Sequence, residues 1–298
     1  MNSAVHPADA PAGPPDPAPT WGSLRAGAAA RLGSPSEARW LVEEVTGEAW
    51  PASLDLPVTE RARRRFEALV ERRGAGEPLQ YVIGRWPFRT LDLMVDRRVL
   101  IPRPETERVV EVALAELDRL DARPAVVVDL GTGSGAIALS VAAERPSLVS
   151  EVWATDCSLD ALAVASANLA GLGGSAAARV RLAHGWWWDA LPPSLRERVD
   201  MVIANPPYIS TDEMGRLDTV VTGWEPKAAL EAGSTGLEAI EHILTGAPAW
   251  LAGRATVVLE IAPHQSGPAA ARATSAGFDH VEVRPDLAGR DRVLVARR

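Results

Sequence analysis

The 298-residue chain predicts an α/β protein with a doubly wound sheet of seven mostly parallel strands, preceded by a small helical domain and a β-hairpin link. Three observations support this fold class. Short apolar runs alternate with helical segments beyond residue 102, a glycine-rich turn follows the first of these runs, and the part before residue 85 has helical periodicity. We therefore expect a tail, a helical domain, a linker and an α/β domain, at residues 1–19, 20–84, 85–101 and 102–298.

The N-terminal part is predicted to be helical after a disordered tail. Residues 1–19 hold six prolines and no large aromatic side chain, a composition typical of disorder. Apolar residues then recur at helical spacing in three stretches that end near glycine, WGSLRAGAAARLG, PSEARWLVEEVTG and TERARRRFEALVERRG. Pro35 suits a first helical turn, and Thr59 can cap the third helix. Residues 86–101 alternate and are rich in β-forming side chains, which predicts the hairpin.

Seven strands are expected in the α/β domain. Five of them are apolar runs separated mostly by helical stretches such as SGAIALSVAAER and LDALAVASANLAGLG, which is typical of a parallel sheet covered on both faces. These runs lie at residues 125–130, 150–156, 178–185, 199–204 and 255–262. Near the C-terminus, HVEVRPD and DRVLVARR predict a closing pair of antiparallel strands.

Composition limits the compartment and the partners. The formal net charge is -8, which argues against a broad nucleic-acid-binding surface, because phosphate binding needs clustered cations. Cys157 is the single cysteine, so no intramolecular disulfide exists and a reducing compartment fits. No apolar run is long enough to span a membrane, and the N-terminus lacks the pattern of a signal peptide. We expect a cytoplasmic protein that binds neither a membrane nor, stably, nucleic acid.

A glycine-rich turn follows the first strand of the α/β domain. Between the strand VVVDL and the helix that begins AIAL stand Gly131, Thr132, Gly133, Ser134 and Gly135. Glycines at this place allow a tight turn and a close approach of the backbone to a ligand at the helix N-terminus. The same spacing satisfies the dinucleotide-binding fingerprint, so the turn alone does not decide between cofactors. A tight turn without a ligand is a further interpretation of the turn taken by itself.

Two acidic residues narrow the choice of cofactor. Asp156 ends the second strand, where a carboxylate can accept both hydroxyl groups of a ribose, in NAD and S-adenosyl-L-methionine sites alike. Asp129 lies two residues before Gly131, where it would repel a pyrophosphate but can help to hold the cationic amino-acid end of S-adenosyl-L-methionine. We therefore expect S-adenosyl-L-methionine as the cofactor.

The fourth strand runs into the motif NPPY, residues 205–208. Pro206 and Pro207 forbid continuation of a strand or a helix, so they form a stiff corner at a strand end, where ligands of doubly wound sheets bind. The side-chain oxygen of Asn205 and the carbonyl of Pro206 can each accept one proton of a planar NH2 group, and Tyr208 can stack on that group. Such contacts favour a methyl transfer to nitrogen if they strengthen in the transition state. The predicted catalytic residues are Asn205, Pro206 and Tyr208.

With these residues, the sequence resembles a known family, the peptide chain release factor glutamine methyltransferases (HemK or PrmC). The resemblance extends from about residue 20 to the end and rests on GEPLQYVIG (76–84), LIPRPETE (100–107), DLGTGSGAIAL (129–139), NPPYI (205–209), EPKAAL (225–230) and LAGRDRVLVAR (287–297). It implies a Rossmann-like methyltransferase domain and methylation of the side-chain nitrogen of the glutamine in the Gly-Gly-Gln motif of bacterial class 1 release factors. It also implies that the helical domain helps to grip the release factor.

The resemblance also implies roles for matching residues. The cofactor site would comprise the loop Gly131–Gly135, the ribose acid Asp156 and Trp187 against the adenine. Asp129 and Asn205 would also be cofactor-binding residues. The substrate glutamine would be held by Asn205, Pro206, Pro207 and Tyr208. The family often has an acidic or small polar residue where this chain has Trp186, so the adenine amino group would be recognised here in another way, for example by backbone.

Further polar residues are candidates for supporting roles. Arg103, Glu105 and Glu107 stand at the start of a predicted helix, with Pro104 suited to its first turn. They can compensate the helix dipole or form a wall of the active site, and we favour the wall. Glu225 is expected to order the loop after NPPY rather than to catalyse. No cluster of His, Cys and Asp has metal-ligand spacing, so no metal is expected.

Three other functions share part of this pattern. An N6-adenine or other exocyclic-amine nucleic-acid methyltransferase uses the same clamp, but it needs a basic substrate face, and the acidic net charge counts against it. A dehydrogenase requires NPPY to be a mere turn. A nonenzymatic module would not be expected to retain Asp129, Asp156 and Asn205 together. We expect a monomeric enzyme whose partners are class 1 release factors.

Overall fold

The computed structural model describes residues 19–49, 54, 57–120 and 124–298. The chain divides into two compact units, Met1–Ile83 and Gly84–Arg298. The predicted tail, residues 1–19, lies outside the described residues except for Pro19. No helix in the described ranges is long and apolar enough to cross a membrane.

The first unit is helical, as its periodicity predicts. Three helices begin at a capping hydroxyl, since Thr20, Ser34 and Thr59 each accept a backbone N–H of the first turn. Two of them end at glycines in the left-handed conformation, Gly33 and Gly47. The helices of this unit are α1 Trp21–Leu32, α2 Pro35–Thr46, α3 Glu60–Gly74 and α4 Leu79–Ile83.

The second unit begins with a hairpin that is shorter than expected. Its strands, β1 Arg85–Phe88 and β2 Leu91–Met94, pair antiparallel. The expected linker continued to residue 101, but at Asp96 the chain turns, because this carboxylate accepts the N–H of Arg98 at 3.0 Å. Residues 95–103 are therefore not strand.

A seven-stranded sheet forms the centre of the second unit, as predicted. Its order is β5-β4-β3-β6-β7-β9-β8, with β9 antiparallel to both neighbours and the other pairs parallel. The chain reverses its winding direction between β3 and β6, which makes their carboxyl ends the switch point where ligands bind. The strands are β3 Ala125–Leu130, β4 Val149–Asp156, β5 Val180–His184, β6 Val199–Ala204, β7 Leu251–Glu260, β8 His280–Pro285 and β9 Asp291–Arg297.

Helices cover both faces of this sheet. Successive side chains of β3 point to opposite faces, so Val127 joins the apolar cluster with Val109 and Leu139, whereas Val128 joins the cluster with Ile240. These two clusters form the core of the second unit. The helices are α5 Pro104–Leu117, α6 Ala136–Glu144, α7 Leu159–Leu172, α8 Gly174–Ala177, α9 Thr211–Met214, α10 Thr219–Trp224, α11 Glu238–Gly246 and α12 Ser266–Ser275.

Candidate active site

The glycine turn between β3 and α6 depends on backbone conformations that favour glycine. Gly131, Gly133 and Gly135 have φ of 75°, 55° and 86°. The N–H groups of Gly131 and Thr132 both donate to the carbonyl of Thr155 at the end of β4, at 2.9 and 2.8 Å. The turn is therefore tied to the neighbouring strand by backbone hydrogen bonds.

Asp129 lies behind this turn and is fully buried, with 0% exposure. Its Oδ2 accepts the hydroxyl of Thr132 at 2.6 Å and the N–H of Ala138 at 3.1 Å. Its Oδ1 has no hydrogen-bond partner among the described residues, and burial raises the pKa of this carboxyl to about 7. The structure thus shows Asp129 bracing the turn. Contact with the cationic end of the cofactor stays a prediction.

Asp156 ends β4 on the other side of the turn. Its Oδ2 accepts the N–H of Gly133 and its Oδ1 accepts the N–H of Ser158, both at 2.9 Å. Burial raises the pKa of this carboxyl above its usual value, while these hydrogen bonds oppose that rise. A carboxylate oxygen can accept more than one hydrogen bond, so Asp156 can still receive two hydroxyl donors.

A cavity of about 590 Å³ lies at the carboxyl ends of these strands. This volume suits a small organic cofactor. The predicted site residues that line it are Gly131, Thr132, Gly133, Ser134, Asp156, Trp187, Asn205 and Pro207. The predicted site residues outside its lining are Asp129, Gly135, Pro206 and Tyr208.

The three consecutive tryptophans have three different environments. Trp187 lies over the glycine turn, since a Cβ at Gly131 would be 3.6 Å from its ring. Trp186 also lines the cavity but is 57% exposed. Trp188 is buried and stacks on Trp250, with ring centroids 6.1 Å apart. Trp187 is therefore the tryptophan placed to cover a ring that enters above the glycine turn.

The NPPY corner at the end of β6 is held by side chains from other elements. Nδ2 of Asn205 donates to Oγ1 of Thr106 at 3.1 Å, and this hydroxyl donates to Oε2 of Glu260 at 2.7 Å. The hydroxyl of Tyr208 donates to the second oxygen of Glu260 at 3.3 Å. The first and last polar side chains of NPPY are therefore joined through one carboxylate at the end of β7.

The backbone of the corner is also fixed from outside. Nε2 of Gln265 donates to the carbonyls of Tyr208 and Gly236, each at 2.9 Å. Gly236 has φ of 76°, and a Cβ there would lie 2.7 Å from the carbonyl oxygen of Tyr208. The close approach of these two backbone segments requires glycine.

The environment of Glu260 is almost closed to solvent. Its side chain is 1% exposed, and burial raises its pKa to about 7. Burial and the nearby carboxylate of Glu260 also raise the pKa of Tyr208, which stays protonated at neutral pH. Sequence reasoning missed Thr106, Glu260 and Gln265. The signal available for Glu260 was a single acidic residue within the mostly apolar run TVVLEIA.

The segment before α5 meets the loop after NPPY through Glu225. This buried carboxylate accepts the N–H of Ile101 at 3.2 Å and forms an ion pair with Arg103. Glu225 thereby joins the two segments, in agreement with its expected role in ordering the loop. In the segment itself, Thr106 lines the cavity while Glu105 and Glu107 do not.

The described residues contain no group of three or more His, Cys, Asp or Glu side chains that could hold a metal ion. The cavity instead offers a glycine turn, a carboxylate at the end of β4, an aromatic ring and an amide at the end of β6. These groups fit S-adenosyl-L-methionine: Asp156 can take the ribose hydroxyls, Trp187 can cover the adenine, and Asn205 lines the same cavity. The fold and site define a Rossmann-like, S-adenosyl-L-methionine-dependent methyltransferase.

Comparison with known proteins narrows this class. Residues 20–84 match the family described as PrmC N-terminal domain, and residues 111–221 match the family described as methyltransferase small domain. A release factor glutamine methyltransferase of Cereibacter sphaeroides is 43% identical over 251 residues, which cover 83% of this chain and 85% of the relative. A protein of the same name from Xylella fastidiosa is 42% identical over 243 residues, with coverage of 82% and 84%.

A solved structure supports the fold alone. The human methyltransferase 10 domain containing protein aligns with a TM-score of 0.50 at 16% identity, covering 69% of this chain and 86% of that chain. By its similarity to the curated relatives, the chain belongs to the release factor glutamine methyltransferase family. It is therefore an enzyme that uses S-adenosyl-L-methionine, as its sequence predicted, and the dehydrogenase and nonenzymatic alternatives are set aside.

Proposed function

We propose that this chain methylates the side-chain nitrogen of the glutamine in the Gly-Gly-Gln motif of class 1 peptide chain release factors. The observation that carries the proposal is the hydrogen bonding of the Asn205 side-chain amide, which lines the cavity. Its Nδ2 is bound to Thr106, and within the described part of the chain its Oδ1 accepts no hydrogen bond. An acceptor in the same cavity as the glycine turn suits a planar NH2 group. Family membership supports the same substrate.

The chemistry follows from the acceptors at the corner. When bound, S-adenosyl-L-methionine supplies an electrophilic methyl group on a sulfonium centre. Asn205 Oδ1 and the carbonyl of Pro206 would accept the two protons of the substrate NH2 group and hold its nitrogen towards the cavity. Methylation would place positive charge on the substrate nitrogen, so its N–H groups would donate more strongly to Oδ1 of Asn205 and to the carbonyl of Pro206. The extra proton then leaves the methylated amide for water, and no strong base is required.

The remaining parts of the chain have proposed roles in the same reaction. Residues 20–84, which match the PrmC N-terminal domain, would contribute to release factor binding. We propose the monomer as the active form. Since release factors act in translation, the proposed reaction takes place in the cytoplasm. Light scattering of the purified protein checks the monomer directly.

A methyl-transfer assay tests the proposed substrate. The purified protein is incubated with labelled S-adenosyl-L-methionine and an unmodified class 1 release factor, and the label is mapped by mass spectrometry. We expect label on the Gly-Gly-Gln glutamine and at least a hundredfold lower rate with Asn205→Ala. Cofactor binding by that variant, measured by calorimetry, should stay within about threefold.

Two further assays make the test decisive: one with a release factor that lacks the target glutamine, and one with total RNA or DNA as the substrate. A release factor whose Gly-Gly-Gln glutamine is replaced by alanine should take up no label. Label on total RNA or DNA, with none on the release factor, would instead assign the clamp to an exocyclic-amine nucleic-acid methyltransferase. Equal labelling by Asn205→Ala and the unaltered enzyme would show that methyl transfer does not require the Asn205 side chain.

A further inference from the structure

The orientation of the Asn205 amide decides whether the site can accept a substrate NH2 group. A carboxamide has an acceptor end and a donor end of nearly the same shape. If Asn205 turned by about 180° about its last side-chain bond, its NH2 would face the NH2 of the substrate, donor against donor. Something in the structure must therefore select one orientation, and it must be a group that distinguishes N–H from oxygen.

Thr106 makes this selection because its hydroxyl has only one proton. That proton is donated to Oε2 of Glu260 at 2.7 Å, so Oγ1 meets Asn205 as an acceptor. The Asn205 atom facing it at 3.1 Å is accordingly the donor Nδ2. The three residues come from the start of α5, the end of β6 and the end of β7. Among the residues that the structure describes, none donates to Oδ1 of Asn205.

We propose that Glu260 and Thr106 are positioning residues that select the reactive orientation of the Asn205 amide, and that they do so only while Glu260 is ionised. This inference rests on the proposed function, in which Oδ1 of Asn205 accepts a substrate proton. When Oε2 of Glu260 carries a proton, the carboxyl donates to Thr106. The hydroxyl of Thr106 must then donate in turn, and the favoured atom of Asn205 opposite it becomes Oδ1. The hydrogen bonds from Asn205 through Thr106 to Glu260, which we call the relay, are then reversed. The NH2 end of the Asn205 amide faces the substrate.

The groups around Glu260 allow this reversal near neutral pH. Tyr208 donates a hydrogen bond to the second oxygen, and the guanidinium of Arg292 on β9 favours the ionised form. Burial, as the largest influence, and the carboxylate of Glu105 on α5 favour the protonated form, and they raise the pKa of Glu260 to about 7. The hydroxyl of Tyr208 keeps its proton throughout, since its pKa is raised.

Nuclear magnetic resonance can observe the amide without any methyl transfer. The chain has three asparagines, Asn2, Asn168 and Asn205, so selective 15N-asparagine labelling gives a simple side-chain spectrum. The Asn205 signals are assigned by their absence in Asn205→Ala. Asn168 is an internal control because its Nδ2 donates to the backbone carbonyls of Met94 and Ser134, which do not titrate.

We expect the Asn205 NH2 signals to shift between pH 6 and pH 8 with a midpoint near 7, while the Asn168 signals stay in place. In Glu260→Gln the shift should disappear. In this variant Tyr208 donates to the side-chain oxygen of Gln at position 260. The side-chain NH2 at position 260 therefore faces Thr106 and keeps the relay reversed at every pH. Asn205 signals that do not respond to pH, or that respond equally in Glu260→Gln, would overturn the inference.

Kinetics test the consequence for the reaction. Thr106→Val keeps the shape but removes both hydrogen bonds, and it should lower kcat about a hundredfold with little change in KM for the release factor. Below pH 7 the kcat of the unaltered enzyme should fall about tenfold per pH unit, and Thr106→Val should lose this dependence. Thr106→Ser restores the hydroxyl and should recover kcat to within about threefold.

The two experiments separate the possible failures. Absence of transfer to any release factor together with a pH-dependent Asn205 signal would refute the proposed function while the positioning relay stands. Normal transfer together with an unchanged kcat and pH profile in Thr106→Val would refute the relay while the function stands. Loss of cofactor binding in Thr106→Val, with no rescue by Thr106→Ser, would show a structural role and likewise refute the relay.

Discussion

Two neighbouring strand ends form the two halves of the cavity, and they are built by different means. The end of β3 is shaped by glycines with positive φ and by Asp129, whose partners Thr132 and Ala138 lie three and nine residues further along the chain. The end of β6 is shaped by proline and by side chains from elsewhere. Asn205 meets a partner 99 residues away, and Tyr208 meets one 52 residues away.

This difference has a physical origin. A tight turn between a strand and a helix needs particular φ values, and these are encoded locally by glycine. A corner that presents one orientation of an amide needs a polar partner of defined donor or acceptor character, and such partners come from packed elements of the fold. The half of the cavity at the end of β3, here called the cofactor half, should therefore respond to local backbone changes. The half at the end of β6, the substrate half, should respond to changes at residues far away in sequence.

The largest expected effect concerns Asp129 in the cofactor half. Its folded-state pKa of about 7 lies above the value of about 3.9 for an unfolded aspartate, so the folded protein binds this proton more tightly. Its contribution to the free energy of unfolding therefore falls as the pH rises from about 4 to about 7. Between pH 4.5 and pH 8, the free energy of unfolding of the unaltered protein should fall by about 3 kcal/mol relative to that of Asp129→Asn, measured by urea unfolding.

Asp118 provides a control of opposite sign. The ion pair with Arg145 holds the pKa of this exposed carboxyl below its usual range, so Asp118→Asn should remove stability at neutral pH, and only a little. Equal pH dependence in the unaltered protein and Asp129→Asn would show that Asp129 does not carry a buried, destabilising charge at neutral pH.

Local encoding explains which parts of the molecule could be predicted from sequence. Alternating apolar strands and helices predicted the seven-stranded sheet, and short motifs identified Gly131, Asp156 and Asn205 as lining residues of a common cavity. Glu260 was missed, because an acidic residue at a strand end becomes informative only when β7 places it against Thr106 and Tyr208.

Two other features were not predicted from the sequence. The hairpin was expected to run to residue 101, because alternation continues past Met94, but the carboxylate of Asp96 forms a turn there. The requirement for glycine at residue 236 was invisible in sequence, since it arises from the carbonyl of Tyr208, a residue in a different loop. The turn at Asp96 is a local hydrogen bond that apolar alternation does not reveal, whereas the contacts of Gly236 and Glu260 join segments that are distant in sequence.

Gly236→Ala tests the substrate half of the comparison. A Cβ at 2.7 Å from the carbonyl oxygen of Tyr208 cannot be accommodated without moving the corner, and φ of 76° adds strain. We expect kcat for methyl transfer to fall about thirtyfold, equivalent to about 2 kcal/mol, with cofactor affinity unchanged within about twofold. Gly215→Ala is the matched control, because its nearest atom would be 4.0 Å away and its φ is -68°. An equal loss of cofactor affinity in Gly236→Ala would contradict the separation of the two halves.

Gly135→Ala is the corresponding change in the cofactor half and should have the smallest effect. Its φ of 86° is strained for alanine, and the added Cβ would lie 3.0 Å from Cδ1 and 3.2 Å from Cγ of Leu139 and 3.6 Å from Cβ of Ala165. These neighbours are side-chain atoms, whereas the Cβ at Gly236 would meet a backbone carbonyl. The turn can therefore relax, and we expect about tenfold weaker cofactor binding by calorimetry, equivalent to about 1.4 kcal/mol. At saturating cofactor, kcat should stay within about threefold, since the corner at Asn205 is supported by other elements. Gly171→Ala, a helical position with nothing within 4 Å, should leave binding unchanged. If kcat falls as much as affinity, the two strand ends are coupled, and the division between a locally encoded half and a half built by distant side chains is wrong.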